Sequence, residues 1–277
     1  EWDRVVLEYL GDLADYVSLH RYVDNRADDT ADFLAVTNAI DRQIEQMDAA
    51  CRFVQAKRRS YKRPYLCFDE WNVWYRTFSR EGMDVDGEFP RHVIEEVYNL
   101  EDALVAAGFL NSFIRHADCV KIANIAQIVN VIAPILTRGD ELLIQSIYHV
   151  FEMFSKRRQG VALRTAVQGP AYQGSRHGEV HYLDCSAILD GDRLQVFASN
   201  RSQDEAMDLT IEVADRSIAA PQSAELLTGP DAKAANSFDA PEVLHPEVFE
   251  GIEVRGGRAH ASLPPLSLVA ATLELEG

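Results

Sequence analysis

Clustered positive charge is what this chain most plainly lacks. Its 27 Lys and Arg stand against 44 Asp and Glu, a formal net charge of -17. Nucleic acids and anionic membranes are held by grouped cations, so neither is expected as a partner, and a neutral substrate suits the chain better. The longest basic run, Lys57-Arg58-Arg59 with Lys62 and Arg63 nearby, ends a helical pattern, where it complements the helix dipole. The four cysteines, Cys51, Cys67, Cys119 and Cys185, are widely spaced with no Cys-x-x-Cys pair, which argues against a disulfide framework or a zinc cluster. Free thiols of this kind act as small hydrophobes and suit a reducing compartment. No apolar run is long enough to span a bilayer and no signal-peptide pattern opens the chain, so a cytoplasmic location is expected. No Gly-rich nucleotide fingerprint follows a strand-like run, so no dinucleotide is expected. Neither a metal nor any other cofactor is anticipated. An initiator Met is absent too; the chain opens Glu1-Trp2-Asp3-Arg4 inside a helical pattern, and a cut upstream is expected.

What is present suffices for a sizeable core: 47 % hydrophobic and 26 % charged residues over 277 positions. The first part alternates strand and helix patterns. Tyr16 to Tyr22 reads as a strand, and a polar loop follows from Asp24 to Thr30. Then comes a long helix with apolar positions at Phe33, Val36, Ile40, Ile44, Met47, Cys51 and Val54, capped by Thr30 or Asp32. A strand from Tyr65 to Phe68, a polar loop from Ser79 to Pro90, and a helix with a stripe through Val93, Val97, Leu100, Leu104, Ala107 and Ile114 come next. A third strand, Cys119 to Ile125, precedes an apolar stretch, Ile128 to Leu136, and an amphipathic segment, Leu142 to Phe154, terminated near Gly160. Strand–helix alternation at this spacing predicts parallel strands with crossover helices, and interesting residues at strand C-terminal ends suit a (β/α) barrel.

Beyond Gly160 the texture changes. Val180–Leu189, the turn Asp190-Gly191-Asp192 and Leu194–Asn200 read as a β-hairpin, with further strands at Asp208–Val213, Ala224–Leu227 and Ser267–Leu275. This predicts an antiparallel β-sandwich over residues 161–277 behind an α/β portion at 1–160.

Chemistry gathers at the strand ends. Glu70 closes the second strand between Trp71 and Trp74, and aromatic faces beside a carboxylate suit sugar rings. The plainer alternative is a solvated acid and two core aromatics. His20 and Tyr22 end the first strand and Gln127 follows the third; each alone could merely satisfy backbone groups. Barrel geometry would bring all of them to one face, a set suited to a polyhydroxylated ligand. Asp69, adjacent to Glu70, is expected on the opposite face.

These runs carry a family resemblance. Asp15–Tyr22, Phe68-Asp69-Glu70-Trp71-Asn72-Val73-Trp74-Tyr75, Asn124–Asn130, Leu227-Thr228-Gly229-Pro230-Asp231 and Leu263–Ser267 together resemble family 51 of the glycoside hydrolases, chiefly α-L-arabinofuranosidases. The resemblance covers essentially the whole chain. It implies a retaining glycosidase on a (β/α)8 barrel with a terminal β-sandwich, homo-oligomeric in the intact enzyme and acting on arabinofuranosides. By the same resemblance Glu70 is the nucleophile, Tyr22 orients it, Trp74 and Gln127 line the arabinofuranosyl subsite, and His20 joins the polar cluster.

One departure accompanies the match. The family's acid/base Glu follows an Asn after the fourth strand, and this chain has no Asn-Glu dipeptide. The expectation is therefore a C-terminal portion, about strands six to eight of the barrel, that lacks the acid/base Glu and needs the N-terminal half as its partner. An endo-β-glucanase of the same family, or a non-catalytic carbohydrate-binding or assembly fragment, are the competing readings. The absence of Trp between Val161 and Gly277 disfavours the last.

Overall fold

The computed structural model describes residues 1–76 and 94–276. The expected loop from Ser79 to Pro90 and the Val93 end of the second helical stripe lie outside the described residues.

The first part is built as the alternation predicts. After helix α1 (Trp2–Leu10) come β1 (Tyr16–Val23), a short α2 (Thr30–Leu34), α3 (Thr37–Arg58), β2 (Tyr65–Val73), α4 (Leu100–Arg115) and β3 (Val120–Ile125). The three strands form one parallel sheet in the order β1-β2-β3. Parallel neighbours require long crossovers, and α3 and α4 supply them.

Two local expectations fail. The helix from Phe33 to Val54 is two helices, and neither Thr30 nor Asp32 caps it. Asp29 does, accepting the Asp32 amide at 3.0 Å. Asp32 is instead fully buried and accepts the Arg176 and His177 amides and the Arg176 guanidinium, so its carboxylate ties a distant loop to α2. The second helix starts later than its stripe: Val97 is exposed before the helix, and Asn99 with Asp102 forms a capping box.

The segment from Leu142 to Phe154, expected as one amphipathic stretch, divides. A hairpin of β4 (Ile135–Arg138) and β5 (Glu141–Ile144) turns at Gly139, and α5 (Ser146–Ser155) follows. Buried Gln145 stops the strand: its carboxamide accepts the Tyr98 amide and donates to the Glu96 and Ala133 carbonyls. Gly160 does not end that helix. It opens β6 (Val161–Leu163) at φ 118°, where an added Cβ would lie 2.2 Å from the Leu189 carbonyl oxygen.

The remaining strands are β7 (Ala171–Gly174), β8 (Gly178–His181), β9 (Leu183–Asp190), β10 (Arg193–Asn200), β11 (Met207–Ile211), β12 (Ile218–Leu227), β13 (Glu247–Val248), β14 (Glu253–Arg255), β15 (Arg258–Leu263) and β16 (Ser267–Leu275). The expected strand from Val180 to Leu189 is broken at Tyr182, so that β7 and β8 make their own hairpin while β9 pairs with β10. A six-stranded antiparallel sheet, β13-β12-β16-β10-β9-β6, faces a three-stranded sheet, β11-β15-β14. Between them lies an apolar layer that includes Leu194, Val196, Ala259, Leu263, Val269, Ala271 and Leu273. The sandwich is as expected.

The alternate residues of the large sheet do not meet water. Ile188, Phe197, Leu268 and Ala270 join one core with α4, α5 and the parallel sheet. Phe197 stacks on Phe154 with ring centroids 4.0 Å apart. On the other side of the same core, Phe109 and Phe113 of α4 pack against Trp71. Helix α4 is buried on nearly all sides, and a ring fully buried beside it contributes about 1.5–3 kcal/mol.

Candidate active site

The C-terminal ends of β1 and β2 carry the polar cluster. Ser18, His20 and Tyr22 alternate with Leu19 along β1 and share a face. On β2 the alternation breaks. Leu19 pairs with Phe68 but His20 pairs with Glu70, leaving Asp69 as an extra residue, and the register with β3 slips over the same stretch. The bulge corrects the expectation for Asp69: it shares the face with Glu70.

Asp69 accepts the Ser18 hydroxyl at 2.7 and 2.9 Å, and the His20 ring spans the two acids, with Nε2 at 3.4 Å from Asp69 Oδ1 and Nδ1 at 3.4 Å from Glu70 Oε2. Partial burial pushes the Asp69 carboxyl up, but the Ser18 hydrogen bond and the neighbouring His20 outweigh it and hold the group below the usual range. Asp69 is thus an anion at neutral pH, not a proton donor.

Tyr22 donates its hydroxyl to Glu70 Oε2 at 2.8 Å. Burial and this bond to a carboxylate push the phenol up to about 12, so it stays a donor across the physiological range. Glu70 is half-exposed, one oxygen aimed by the phenol and imidazole and the group open to a ligand. Trp74 lies past the strand end, where its amide bonds to the Val23 carbonyl at 2.8 Å and its ring meets Tyr22 edge-on at 5.2 Å. An indole and a carboxylate thus both contact one phenol.

Trp71 does not join them. It is 0 % exposed and stacked on Phe109 and Phe151, so the reading of two tryptophans flanking a sugar is half wrong. With the bulge counted, Trp71 alternates away from Glu70 into the core. Gln127 is exposed after β3, and the Ala126 amide before it bonds to the Trp71 carbonyl at 3.2 Å. Its carboxamide makes no hydrogen bond among the described residues, so it lies at the neighbouring strand end without joining the Tyr22–Glu70 cluster.

The supports were invisible to local reading. Asn72 donates to the Ala126 and Ile132 carbonyls and fixes the chain after β3. Tyr75 donates to Asp102 at 2.6 Å, anchoring the segment just after Trp74 to α4. Glu101, fully buried, accepts Asn25, Thr30 and, at 2.6 Å, the Lys233 ammonium, which anchors the loop after Tyr22. The one local signal for the bulge is Asp69 itself, a residue type depleted in strands.

Comparisons with known proteins agree with this architecture. The family model of the α-L-arabinofuranosidase C-terminal domain matches residues 69–267. An intracellular exo-α-(1→5)-L-arabinofuranosidase of Acetivibrio thermocellus is 38 % identical over 220 residues, 77 % of this chain and 44 % of that protein. Its counterpart from Streptomyces lividans is 36 % identical over 270 residues, 96 % of this chain and 41 % of that protein. Among solved structures, a family 51 α-L-arabinofuranosidase of Bifidobacterium longum superposes with a TM-score of 0.90 at 27 % identity, covering 99 % of this chain and 55 % of that one. The chain spans about half the length of the proteins it matches. No described helix is long and apolar enough to cross a membrane. The family model spans well over half of the chain, and the chain belongs to the α-L-arabinofuranosidase C-terminal domain family of the family 51 glycoside hydrolases.

Proposed function

We propose that this chain carries the nucleophile of a retaining, cytoplasmic α-L-arabinofuranosidase that releases terminal arabinofuranosyl units from oligo- and polysaccharides. Residues 1–160 form its portion of a (β/α)8 barrel and residues 161–277 its β-sandwich. The observation that carries the reading is the 2.8 Å bond from the Tyr22 hydroxyl to Glu70 at the open end of parallel strands, with Trp74 against the same phenol. The names of the similar proteins support the substrate class.

In this mechanism the free oxygen of the Glu70 carboxylate attacks the anomeric carbon as the bond to the leaving oxygen breaks. A second carboxyl protonates that oxygen, then takes a proton from water, which displaces Glu70 and regenerates its carboxylate. Tyr22 holds Glu70 in line, and the His20 ring bridges Asp69 and Glu70. Trp74 offers its face to the furanose, and Gln127 takes a sugar hydroxyl.

Asp69, held ionised, cannot be the acid. Retaining enzymes place their two carboxyls about 5–5.5 Å apart, and the acid/base group is assigned to barrel strands other than β1–β3, in an intact enzyme that assembles as a homo-oligomer.

The test is covalent trapping. An aryl α-L-arabinofuranoside whose phenolate leaves without protonation should arabinosylate this chain, and peptide mass spectrometry should place the sugar on Glu70. An adduct on another residue, or one unchanged in Glu70→Gln, overturns the assignment. Turnover of an unactivated substrate by this chain alone would overturn the placement of the acid elsewhere.

A further inference from the structure

At the opposite end of the parallel sheet, where α4 turns into β3, the chain makes a tight reversal. The Cys119 and Val120 amides both bond to the His116 carbonyl, at 2.9 and 2.8 Å. That reversal brings an imidazole, a carboxylate and a thiol together: one ligand atom each of His116, Asp118 and Cys119 lie within 4.8 Å of one another. They open onto a cavity of about 300 Å³ against α3, lined also by Glu45 and Asp48. Nothing in the glycosidase reading uses this site.

We propose that this turn binds a zinc ion through His116, Asp118 and Cys119, with water in the fourth position facing the cavity. A mixed nitrogen, oxygen and sulfur set is one that zinc accepts, and tetrahedral ligands at about 2.0–2.3 Å sit roughly 3.4–3.8 Å apart. The observed spacing closes to this with movements of about an ångström, which the exposed Asp118 side chain can make. Metal-bound imidazoles are commonly oriented by a carboxylate on their other nitrogen. Asp41 of α3 is so placed, its Oδ1 at 3.2 Å from His116 Nε2.

The local charge tolerates a cation. Asp41, Glu45, Asp48 and Asp118 outnumber the guanidinium groups of Arg52, Arg63 and Arg115 that pair with them. All three protein ligands belong to the α4–β3 turn, so the metal would brace that reversal, with Asp41 of α3 touching it only through His116, at the end of the sheet remote from Glu70.

The experiment is a titration of the chelator-treated, dialysed chain with zinc by calorimetry, and with cobalt by absorption spectroscopy. Expected are one equivalent of zinc, a higher Tm on binding, and a cobalt spectrum with tetrahedral bands and a thiolate charge-transfer band. Cys119→Ser should abolish that band and weaken zinc on the order of a hundredfold or more, and Asp41→Asn should weaken it about tenfold. His245→Ala, at a distant exposed histidine, should change nothing. Should Cys119→Ser not fold, Asp118→Asn alters an exposed side chain and carries the same test. No zinc uptake, uptake undiminished in the Cys119 and Asp118 variants, or a cobalt spectrum without the sulfur band overturns the proposal. None of these readouts depends on glycosidase activity.

Discussion

β2 and β16 are both nine-residue strands in the interior of their sheets, and they behave in opposite ways. β16 pairs with β10 without a break from Glu274 opposite Arg193 to Ser267 opposite Asn200, the two register shifts on its other side fall in β12, and nearly all of β16 is buried. β2 loses register on both sides around Asp69 and Glu70, and there its side chains reach solvent. An unbroken ladder spends every position on packing. A bulge surrenders pairing at one residue and sets two acids on the same face beside one imidazole, which alternation forbids. The chemistry sits where the strand is irregular.

Four experiments press on that contrast, the first three in order of expected effect. Glu70→Gln should slow sugar transfer to the protein by on the order of 10⁴-fold or more, while stability by denaturant unfolding stays within about 0.5 kcal/mol. A large loss of stability would mean that β2 is structural in the way β16 is. The mirror experiment is Leu268→Ala in β16, at a fully buried side chain. It should cost about 2–5 kcal/mol in urea unfolding.

Tyr22→Phe removes one hydrogen bond to a carboxylate, worth about 1.5–3 kcal/mol. The rate of adduct formation should fall about ten- to a hundredfold with the fold intact, and an unchanged rate would remove Tyr22 from the mechanism.

The fourth experiment is read against pH and concerns Asp102, the buried acid that receives Tyr75. Burial pushes it up to about 7, above an unfolded value of about 3.9. Between these limits the folded chain holds a proton that the unfolded chain has released. The group's contribution is therefore most favourable below about pH 4 and declines as pH rises to about 7. Asp102→Asn should flatten the corresponding fall in unfolding free energy; a parallel slope in the variant would show that the acid does not titrate there.

Much of this was legible from residues alone, for identifiable reasons. The 3.6-residue spacing of Ile40, Ile44, Cys51 and Val54 and the continuous apolar run at β16 each report burial directly. Tyr22 and Glu70 could be placed together because parallel strands align their ends. Asp69 was assigned to the wrong face because a bulge moves a single residue, whereas plain alternation from Glu70 already turns Trp71 inward and only its pairing with Trp74 suggested otherwise. Contacts between distant segments leave no local periodicity, and so Lys233 on Glu101, Arg176 on Asp32 and Gln145 on the Glu96 carbonyl went unseen. The His116–Cys119 turn, proposed above to hold zinc, escaped for another reason: cysteine spacing is silent about a set that would use a single thiol.

The placement of β16 has a consequence for how the chain is made. It is the last strand among the described residues, yet it lies between β12 and β10 and supplies Leu268 and Ala270 to the core beneath α4. A chain emerging from the ribosome can pair β1, β2 and β3 early, but the layer that seats α4 stays open until Leu275 is free of the exit tunnel. Until then α4 keeps an oily flank exposed.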